Sequence, residues 1–150
     1  MVRLSGLLFW FDESLQMSLQ RAGFDPLSRT QSMFLLCLAS GLNKPSDIAA
    51  QLGVSRQAIS HIINYLSDRG LIELTVDPED ARARIVAYTD DAQELRVAAH
   101  TVATELNKLL KRRIGADAFE SLRSGLAGEW GETAVIELPP RQSRKRAKKA

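Results

Sequence analysis

The run from Pro45 to Gly70 constrains the fold most, because its spacing fits two helices joined by a tight turn. Ala49 is small where two helices have to approach closely, and Gly53 supplies the positive φ that an abrupt turn requires. Ser55 stands where an N-cap belongs, and Gly70 stands where the residue after a C-cap belongs. The spacing therefore predicts a helix-turn-helix.

The second of these helices has one apolar face and one polar face. Its apolar residues share helical spacing and are Ile59, Ile62, Ile63 and Leu66. The polar residues that then face outward near its start are Arg56, Gln57, Ser60, His61 and Asn64. The start of a recognition helix carries the base contacts in a major groove, so this set predicts DNA binding. The alternative is an ordinary αα-hairpin whose polar face is merely solvated.

A short β-hairpin is predicted directly after the helix-turn-helix. LIELTV (residues 71–76) and ARIVAYT (residues 83–89) are rich in β-branched and apolar residues. Between them lies the turn-forming stretch DPEDAR, with Arg82 at its tip and Arg84 just beyond as candidate DNA contacts. We expect Asp80 to orient Arg82 through a salt bridge. A helix-turn-helix followed by a hairpin with a basic tip is typical of a winged helix.

These segments together resemble a known family. PSDIAAQLGVSRQAISHIINYLSDRGLIE, DPEDAR and IVAYTDDA are similar to the MarR family of bacterial transcription regulators, over most of the stretch from about Leu27 to Ala92. The resemblance implies homodimers formed through the terminal helices. It also implies a small aromatic or phenolic ligand between those helices and the winged helix. His61 stands where many relatives carry Arg, and Tyr88 replaces a usual Leu. Ala92 falls where Gly is common.

The segments on either side of the winged helix are predicted to be helical. Apolar residues recur at spacings of four and three at Leu4, Leu8, Phe11, Leu15 and Leu19. We expect a first helix over residues 4–22, ended by Gly23. A second helix, capped by Ser28, is expected to run to about Ser40. Cys37 on that helix is interpreted as a small core residue, with redox sensing as the alternative.

A long helix is predicted from about Asp90 to Arg113, and Gly115 separates it from a final helix. The long helix carries a four-three repeat that consists of Leu95, Ala99, Val102, Leu106 and Leu109. The final helix has one apolar face made by Phe119, Leu122, Leu126 and Trp130. Apolar faces of this kind have to be shielded from water by another segment or another chain. A second copy of the chain is the expected cover, and an intrachain core around the winged helix is the alternative.

The expected domain organisation is one MarR-like domain at residues 1–138. Its winged helix occupies residues 28–90, and its helical dimerisation parts occupy residues 1–27 and 91–131. Residues 139–150 are expected to be a disordered basic tail. The chain has 20 Lys or Arg and 18 Asp or Glu, and six of the basic residues lie in this tail. The remainder is therefore mildly acidic, and attraction to DNA has to come from local basic patches.

Several function classes find no support in the sequence. The two histidines, His61 and His100, have no Cys or His neighbours at metal-ligand spacing, and no glycine-rich phosphate loop is present. The acids Asp77, Glu79 and Asp80 are interpreted as a hairpin turn rather than as a metal site. No cofactor and no enzymatic activity are expected. A single cysteine suits the cytoplasm, and the apolar start is too short to span a bilayer.

The sequence and this resemblance together predict a homodimeric transcriptional repressor that binds a palindromic operator, and the resemblance implies that a small aromatic ligand regulates it. Trp10, Phe11 and Phe24 are candidates to line the ligand crevice, although core packing explains them equally well. One alternative is a winged helix that mediates protein–protein assembly. Another is a nonspecific architectural DNA-binding protein that depends mainly on the basic tail.

Overall fold

The structure of the protein, a computed structural model, describes residues 2–128. Six α-helices and one two-stranded sheet make up this part of the chain. The helices are α1 (Val2–Arg21), α2 (Arg29–Ala39), α3 (Pro45–Leu52), α4 (Arg56–Asp68), α5 (Gln93–Ile114) and α6 (Ala116–Leu126). The strands are β1 (Ile72–Val76) and β2 (Arg84–Tyr88), and a 3₁₀ turn at Asp90–Ala92 precedes α5. The predicted order of elements is confirmed.

The end of α1 and the start of α2 follow from local chemistry. Gly23 has a φ of 95°, and the chain turns there so that the N–H of Phe24 donates to the carbonyl of Leu19 at 3.0 Å. The Ser28 hydroxyl accepts the N–H of Gln31, and the Gln31 side chain accepts the N–H of Ser28. This capping box satisfies two backbone donors that a helix start leaves unpaired. The predicted cap at Ser28 is confirmed.

The two strands form an antiparallel hairpin in which Ile72 pairs with Tyr88 and Val76 pairs with Arg84. The hairpin is also joined to the preceding helices, because the N–H of Val86 donates to the carbonyl of Asn43 at 2.8 Å. A two-stranded hairpin is marginally stable on its own. Its attachment to the segment before α3 makes it a wing of the helix-turn-helix.

The winged helix surrounds one hydrophobic core drawn from α2, α3, α4 and both strands. Its buried residues are Phe34, Leu38, Ile48, Ala49, Ile59, Ile62, Ile63, Leu66, Ile72 and Val86. Cys37 packs against this cluster and is partly buried, and burial raises the pKa of its thiol. A raised thiol pKa lowers the thiolate fraction that reacts with oxidants, which agrees with the structural interpretation of this cysteine.

The four-three repeat of α5 is partly covered within the chain. Helices α1 and α5 pack against each other, and Leu106 at the centre of the repeat is only 8% exposed in the single chain. Val102 beside it is partly buried. Packing within one chain therefore accounts for part of this cover, and a second copy as cover stays a prediction, because periodicity identifies a shared face and not the segment that packs on it.

Other apolar residues of the terminal helices are exposed. In α1, Leu4, Leu8 and Phe9 are each close to half exposed, and Leu126 of α6 is 43% exposed. The carboxyl-terminal end of α5 and α6 form an apolar groove with the start of α1. Trp130 and the predicted tail at residues 139–150 lie outside the described residues. Within the described part, no helix is long and apolar enough to cross a membrane.

Candidate nucleic-acid interface

The turn between α3 and α4 has the backbone geometry that a helix-turn-helix requires. Gly53 adopts the left-handed conformation (φ 64°, ψ 32°), as its position predicts. The N–H of Val54 donates to the carbonyl of Ala49 at 3.1 Å and closes the end of α3. Ala49 itself is 7% exposed and belongs to the core that α3 and α4 share. The positive φ predicted for Gly53 is confirmed.

The start of α4 is fixed by a side-chain cap. The Ser55 hydroxyl accepts the N–H of Ala58 at 3.2 Å, which confirms the predicted N-cap. At the other end, Gly70 has a φ of 66°, and the N–H of Leu71 donates to the carbonyl of Leu66 at 3.0 Å. These two ends limit the helix to Arg56–Asp68 and set which residues point outward.

The two faces of α4 divide as the sequence predicts. The buried residues are Ile59, Ile62, Ile63 and Leu66. All five polar candidates on this helix are exposed, namely Arg56, Gln57, Ser60, His61 and Asn64. They lie along the first two and a half turns of the helix, where one face presents amide, hydroxyl, imidazole and guanidinium groups. The Ser60 hydroxyl donates to the carbonyl of Arg56 at 3.0 Å, which leaves its lone pairs as acceptors.

The wing places two basic side chains in solvent. Arg82 lies in the turn and Arg84 begins β2, and both are exposed. Asp80 accepts the backbone N–H of Arg82 at 3.0 Å. The predicted salt bridge is therefore wrong, because the Asp80 carboxylate binds the backbone N–H of Arg82 and does not pair with the Arg82 guanidinium. The turn chemistry of Asp favours such a bond to the N–H two residues on.

The base of the wing is linked to the start of α3 by an ion pair that the sequence analysis did not find. Lys44 Nζ lies 3.2 Å from Asp77 Oδ2, and Asp77 Oδ1 accepts the N–H of Glu79 at 2.9 Å. The pKa of Asp77 is lowered mainly by the hydrogen bond from the Glu79 N–H and secondly by the hydrogen bond from Lys44. The hydrogen bond and charge of Asp77 raise the pKa of Lys44. This pair fixes the wing against the helix-turn-helix, and a distant partner leaves no local signal in the sequence.

The carboxyl-terminal end of α4 is also linked to the loop between α1 and α2. The Arg69 guanidinium forms an ion pair with Asp25 and donates to the carbonyl of Pro26 at 3.4 Å. It also donates to the Tyr65 hydroxyl at 2.9 Å. Tyr65 is 40% exposed and lies on the same helix as the candidate base contacts, although it was not predicted as a site residue. The link holds the carboxyl-terminal end of α4 against that loop.

A cleft of about 610 Å³ lies between the winged helix and the terminal helices. Phe11 lines it, as predicted. Trp10 does not, and instead packs edge-on against Phe11 and beneath the Arg113 guanidinium. Phe24 lines a different, polar cleft beside Arg69. The helical phase of α1 and the turn after Gly23 point these two rings away, so their predicted placement is wrong.

Tyr88 closes one side of the 610 Å³ cleft. Its hydroxyl donates to the carbonyl of Leu35 at 2.6 Å, and the Arg96 guanidinium lies 4.7 Å from its ring centre. Burial raises the pKa of Tyr88 to about 12. The hydroxyl is therefore a neutral donor at ordinary pH, and this residue links the wing to α2. Among residues 2–128, no group of three or more His, Cys, Asp or Glu side chains is placed to hold a metal ion.

Comparison with known proteins supports the same fold. The MarR family profile matches residues 25–83. The repressor CouR, solved bound to a 23-mer DNA duplex, is 26% identical with a TM-score of 0.65, and the match covers 83% of this chain and 87% of that chain. CouR from Rhodococcus jostii RHA1 bound to p-coumaroyl-CoA is 22% identical (TM-score 0.63), over 82% of this chain and 85% of the other.

A third similar structure is MepR of S. aureus bound to ethidium bromide. It is 18% identical with a TM-score of 0.56, and the match covers 83% of this chain and 89% of that chain. Comparison with curated protein sequences gave no match. The predicted fold class, mainly α with a β-hairpin wing flanked by terminal helices, is confirmed.

Proposed function

We propose that this chain is a MarR-family regulator, a homodimeric repressor that binds a specific DNA sequence, because residues 25–83 match the MarR family model and the fold is similar to that of CouR. The observation that carries the proposal is the exposed polar face of α4, which lies over four buried apolar residues on a helix capped at both ends. The DNA-bound structure of CouR supports it. The site of action is the cytoplasm, where bacterial DNA lies.

In this proposal, the amino-terminal half of α4 enters a major groove. Gln57 and Asn64 carry amides, and an amide can pair with adenine through two hydrogen bonds. Ser60 accepts a hydrogen bond from a base amino group through its free lone pairs. Arg56 and His61 contact bases or phosphates. All five side chains are already exposed, so this contact needs no rearrangement of the helix.

The wing supplies the contacts beside the major groove. Arg82 and Arg84 are exposed cations on a hairpin, and they reach the adjacent minor groove or its phosphates. The ion pair between Lys44 and Asp77 fixes the hairpin relative to α3. Phosphate contacts from a fixed wing set the register of the protein on the duplex, while α4 supplies sequence discrimination.

Dimerisation gives two recognition helices and thus a palindromic operator. The support is the apolar groove made by Leu4 and Leu8 of α1 with Phe119, Leu122 and Leu126 of α6, which one chain leaves open. A C₂ dimer that covers this groove presents two copies of α4 to half-sites one helical turn apart. Operator symmetry then follows from protein symmetry.

Ligand response is assigned to the cleft between α1, α2 and α5. Its mostly apolar walls and its volume of about 610 Å³ suit a ring-sized molecule. The CouR structure with p-coumaroyl-CoA supports a ligand-responsive regulator on this fold. A molecule in the cleft touches both the terminal helices and the winged helix, so it changes the separation of the two recognition helices in the dimer.

Selection of bound sequences from a random duplex pool at two salt concentrations tests the function. A preferred palindrome supports the regulator. Equal binding to all sequences indicates an architectural DNA-binding protein, and no binding indicates an assembly module.

The Gln57→Ala variant tests the base contact itself. It should lose about 1–3 kcal/mol at the selected site and keep its nonspecific binding, because a bidentate base contact discriminates by that amount. Gln20→Ala, at an exposed position of α1, is the matched control. Equal losses on specific and random duplexes would remove Gln57 from the base contacts.

A further inference from the structure

Tyr65 is an exposed aromatic residue of α4 that lies outside the set of DNA contacts proposed above. It follows His61 by about one helical turn and is 40% exposed. An α-helix turns by about 100° per residue, so Tyr65 lies about 80° around the helix axis from Gln57, whereas Asn64 lies only about 20° from it. Tyr65 therefore lies at the edge of the polar face, beside the residues proposed to contact bases.

The position of the Tyr65 hydroxyl is set by Arg69, about one turn further along the helix. The Arg69 guanidinium donates to the Tyr65 hydroxyl oxygen at 2.9 Å, and its central carbon lies 5.4 Å from the centre of the Tyr65 ring. Arg69 is held in turn by its ion pair with Asp25 and by its hydrogen bond to the carbonyl of Pro26. Contacts that begin in the loop between α1 and α2 therefore fix this hydroxyl in the free protein.

The contact with Arg69 also determines which hydrogen bond the hydroxyl can still make. A tyrosine hydroxyl has one proton to donate and two lone pairs that accept hydrogen bonds. Arg69 occupies the oxygen as a donor, and within the described part of the chain the hydroxyl donates to no acceptor. The exposed edge of α4 thus carries a fixed hydrogen-bond donor that has no positive charge.

We infer that Tyr65 donates a hydrogen bond to a phosphate of the DNA backbone beside the major groove, and that Arg69 is the positioning residue of this contact. This inference rests on the DNA binding proposed above. Phosphate oxygens accept hydrogen bonds, and tyrosine is one of the side chains that contact them in protein–DNA complexes. When a recognition helix lies in a major groove, the centre of its polar face meets base edges and its flanks meet the backbone. The edge position of Tyr65 therefore favours a phosphate over a base.

A direct contact between Arg69 and the phosphate is the competing arrangement. The Arg69 guanidinium is partly buried and already paired with Asp25, which opposes this arrangement. The two arrangements also differ in their dependence on salt. A cation that neutralises a phosphate releases a counterion from the DNA, whereas a hydroxyl releases none. The slope of log affinity against log salt concentration therefore distinguishes them.

The test is anisotropy titration of a fluorescein-labelled random duplex, and of a duplex selected from the random pool, with the full chain at several salt concentrations. Tyr65→Phe keeps the ring and removes only the hydroxyl. Its affinity for both duplexes should fall by about three- to tenfold, since one hydrogen bond corresponds to roughly that ratio. The salt slope should not change. Ser124→Ala, which removes an exposed hydroxyl from α6, is the matched control.

Arg69→Gln tests the positioning role. Asp25 is exposed, so the loss of its partner leaves no buried charge and the variant should fold. Its affinity should fall at an unchanged salt slope, because the Tyr65 hydroxyl is no longer held. Tyr65→Phe should then cost less in the Arg69→Gln background than in the wild type, since the two residues act through one contact. Additive losses, or a slope shallower by about 0.9 in Arg69→Gln, would overturn the inference.

The Tyr65→Phe variant alone also decides the inference if Arg69→Gln does not fold. An unchanged affinity would make the hydroxyl a purely structural partner of Arg69. A loss confined to the selected duplex would assign Tyr65 to base contacts, and either result overturns the inference. A wild-type chain that binds neither duplex would refute the proposed function as well, whereas wild-type binding that Tyr65→Phe leaves intact refutes this inference alone.

Discussion

The winged helix and the terminal helices differ in how they cover their apolar residues. In the winged helix, Phe34, Ile48 and Leu66 have no exposed surface at all, and the core closes within one chain. In the terminal helices, Leu4 and Leu8 remain 48% and 47% exposed. The first region buries its apolar residues within one chain. The second leaves apolar surface exposed, and exposed apolar patches of this kind mark sites of association.

The largest expected effect is a loss of stability in the winged helix. Phe34→Ala removes a completely buried ring from the centre of the core and should lower the free energy of unfolding by about 3–5 kcal/mol. Leu4→Ala, at an exposed position of α1, should change the stability of the isolated chain by about 0.5 kcal/mol or less. Urea denaturation followed by circular dichroism measures both. Similar losses in the two variants would remove the distinction between the regions.

Substitutions in the terminal helices should change dimerisation and leave the folding of the chain intact. Leu126→Asp places a charge in the apolar groove of α6, where the side chain is 43% exposed in one chain. We expect the variant to be a folded monomer at micromolar concentration, while the wild type is a dimer by light scattering. Ser124→Asp, an exposed residue outside that groove, is the matched control and should remain dimeric. A monomeric wild type would contradict the proposed dimer.

The success of sequence-based prediction follows the same division. The turn at Gly53 and the cap at Ser55 were predictable because backbone geometry and hydrogen-bond chemistry within a few residues determine them. The polar face of α4 was predictable because helical periodicity separates the two faces. Periodicity also placed Leu106 on a buried face of α5, but it could not identify α1 as the helix that packs against α5.

Links between distant segments were missed for a related reason. Asp77 was identified as a turn residue from its neighbours, and its partner Lys44 became visible only in three dimensions. The ion pair between Asp12 of α1 and Arg29 of α2 likewise gave no signal, because the two residues are 17 positions apart in the sequence. Residues that act through tertiary contacts therefore form the unpredicted part of the candidate site.

The smallest expected effect is a change of stability at the base of the wing. Asp77 has a lowered pKa because it accepts the Glu79 N–H and faces Lys44. A carboxyl whose pKa is lower in the folded state stabilises that state above its unfolded pKa of about 3.9, and the contribution is lost as the pH falls through the folded pKa. Asp77→Asn should therefore lower stability slightly at pH 7. The difference from wild type should close as the pH falls below the ordinary aspartate range.

Unfolding free energies measured between pH 7 and pH 2.5 show whether the difference between Asp77→Asn and the wild type disappears. Asp80→Asn is the control, because Asp80 has no ion-pair partner within residues 2–128.

Asp77→Asn should also weaken DNA binding, because the Lys44 link that fixes the wing is lost while Arg82 and Arg84 remain in place. Its effect should be similar on specific and random duplexes, since phosphate contacts position the protein without distinguishing sequences. A stability difference that stays constant with pH would show that packing at Asp77, and not its charge, holds the wing to the helix-turn-helix.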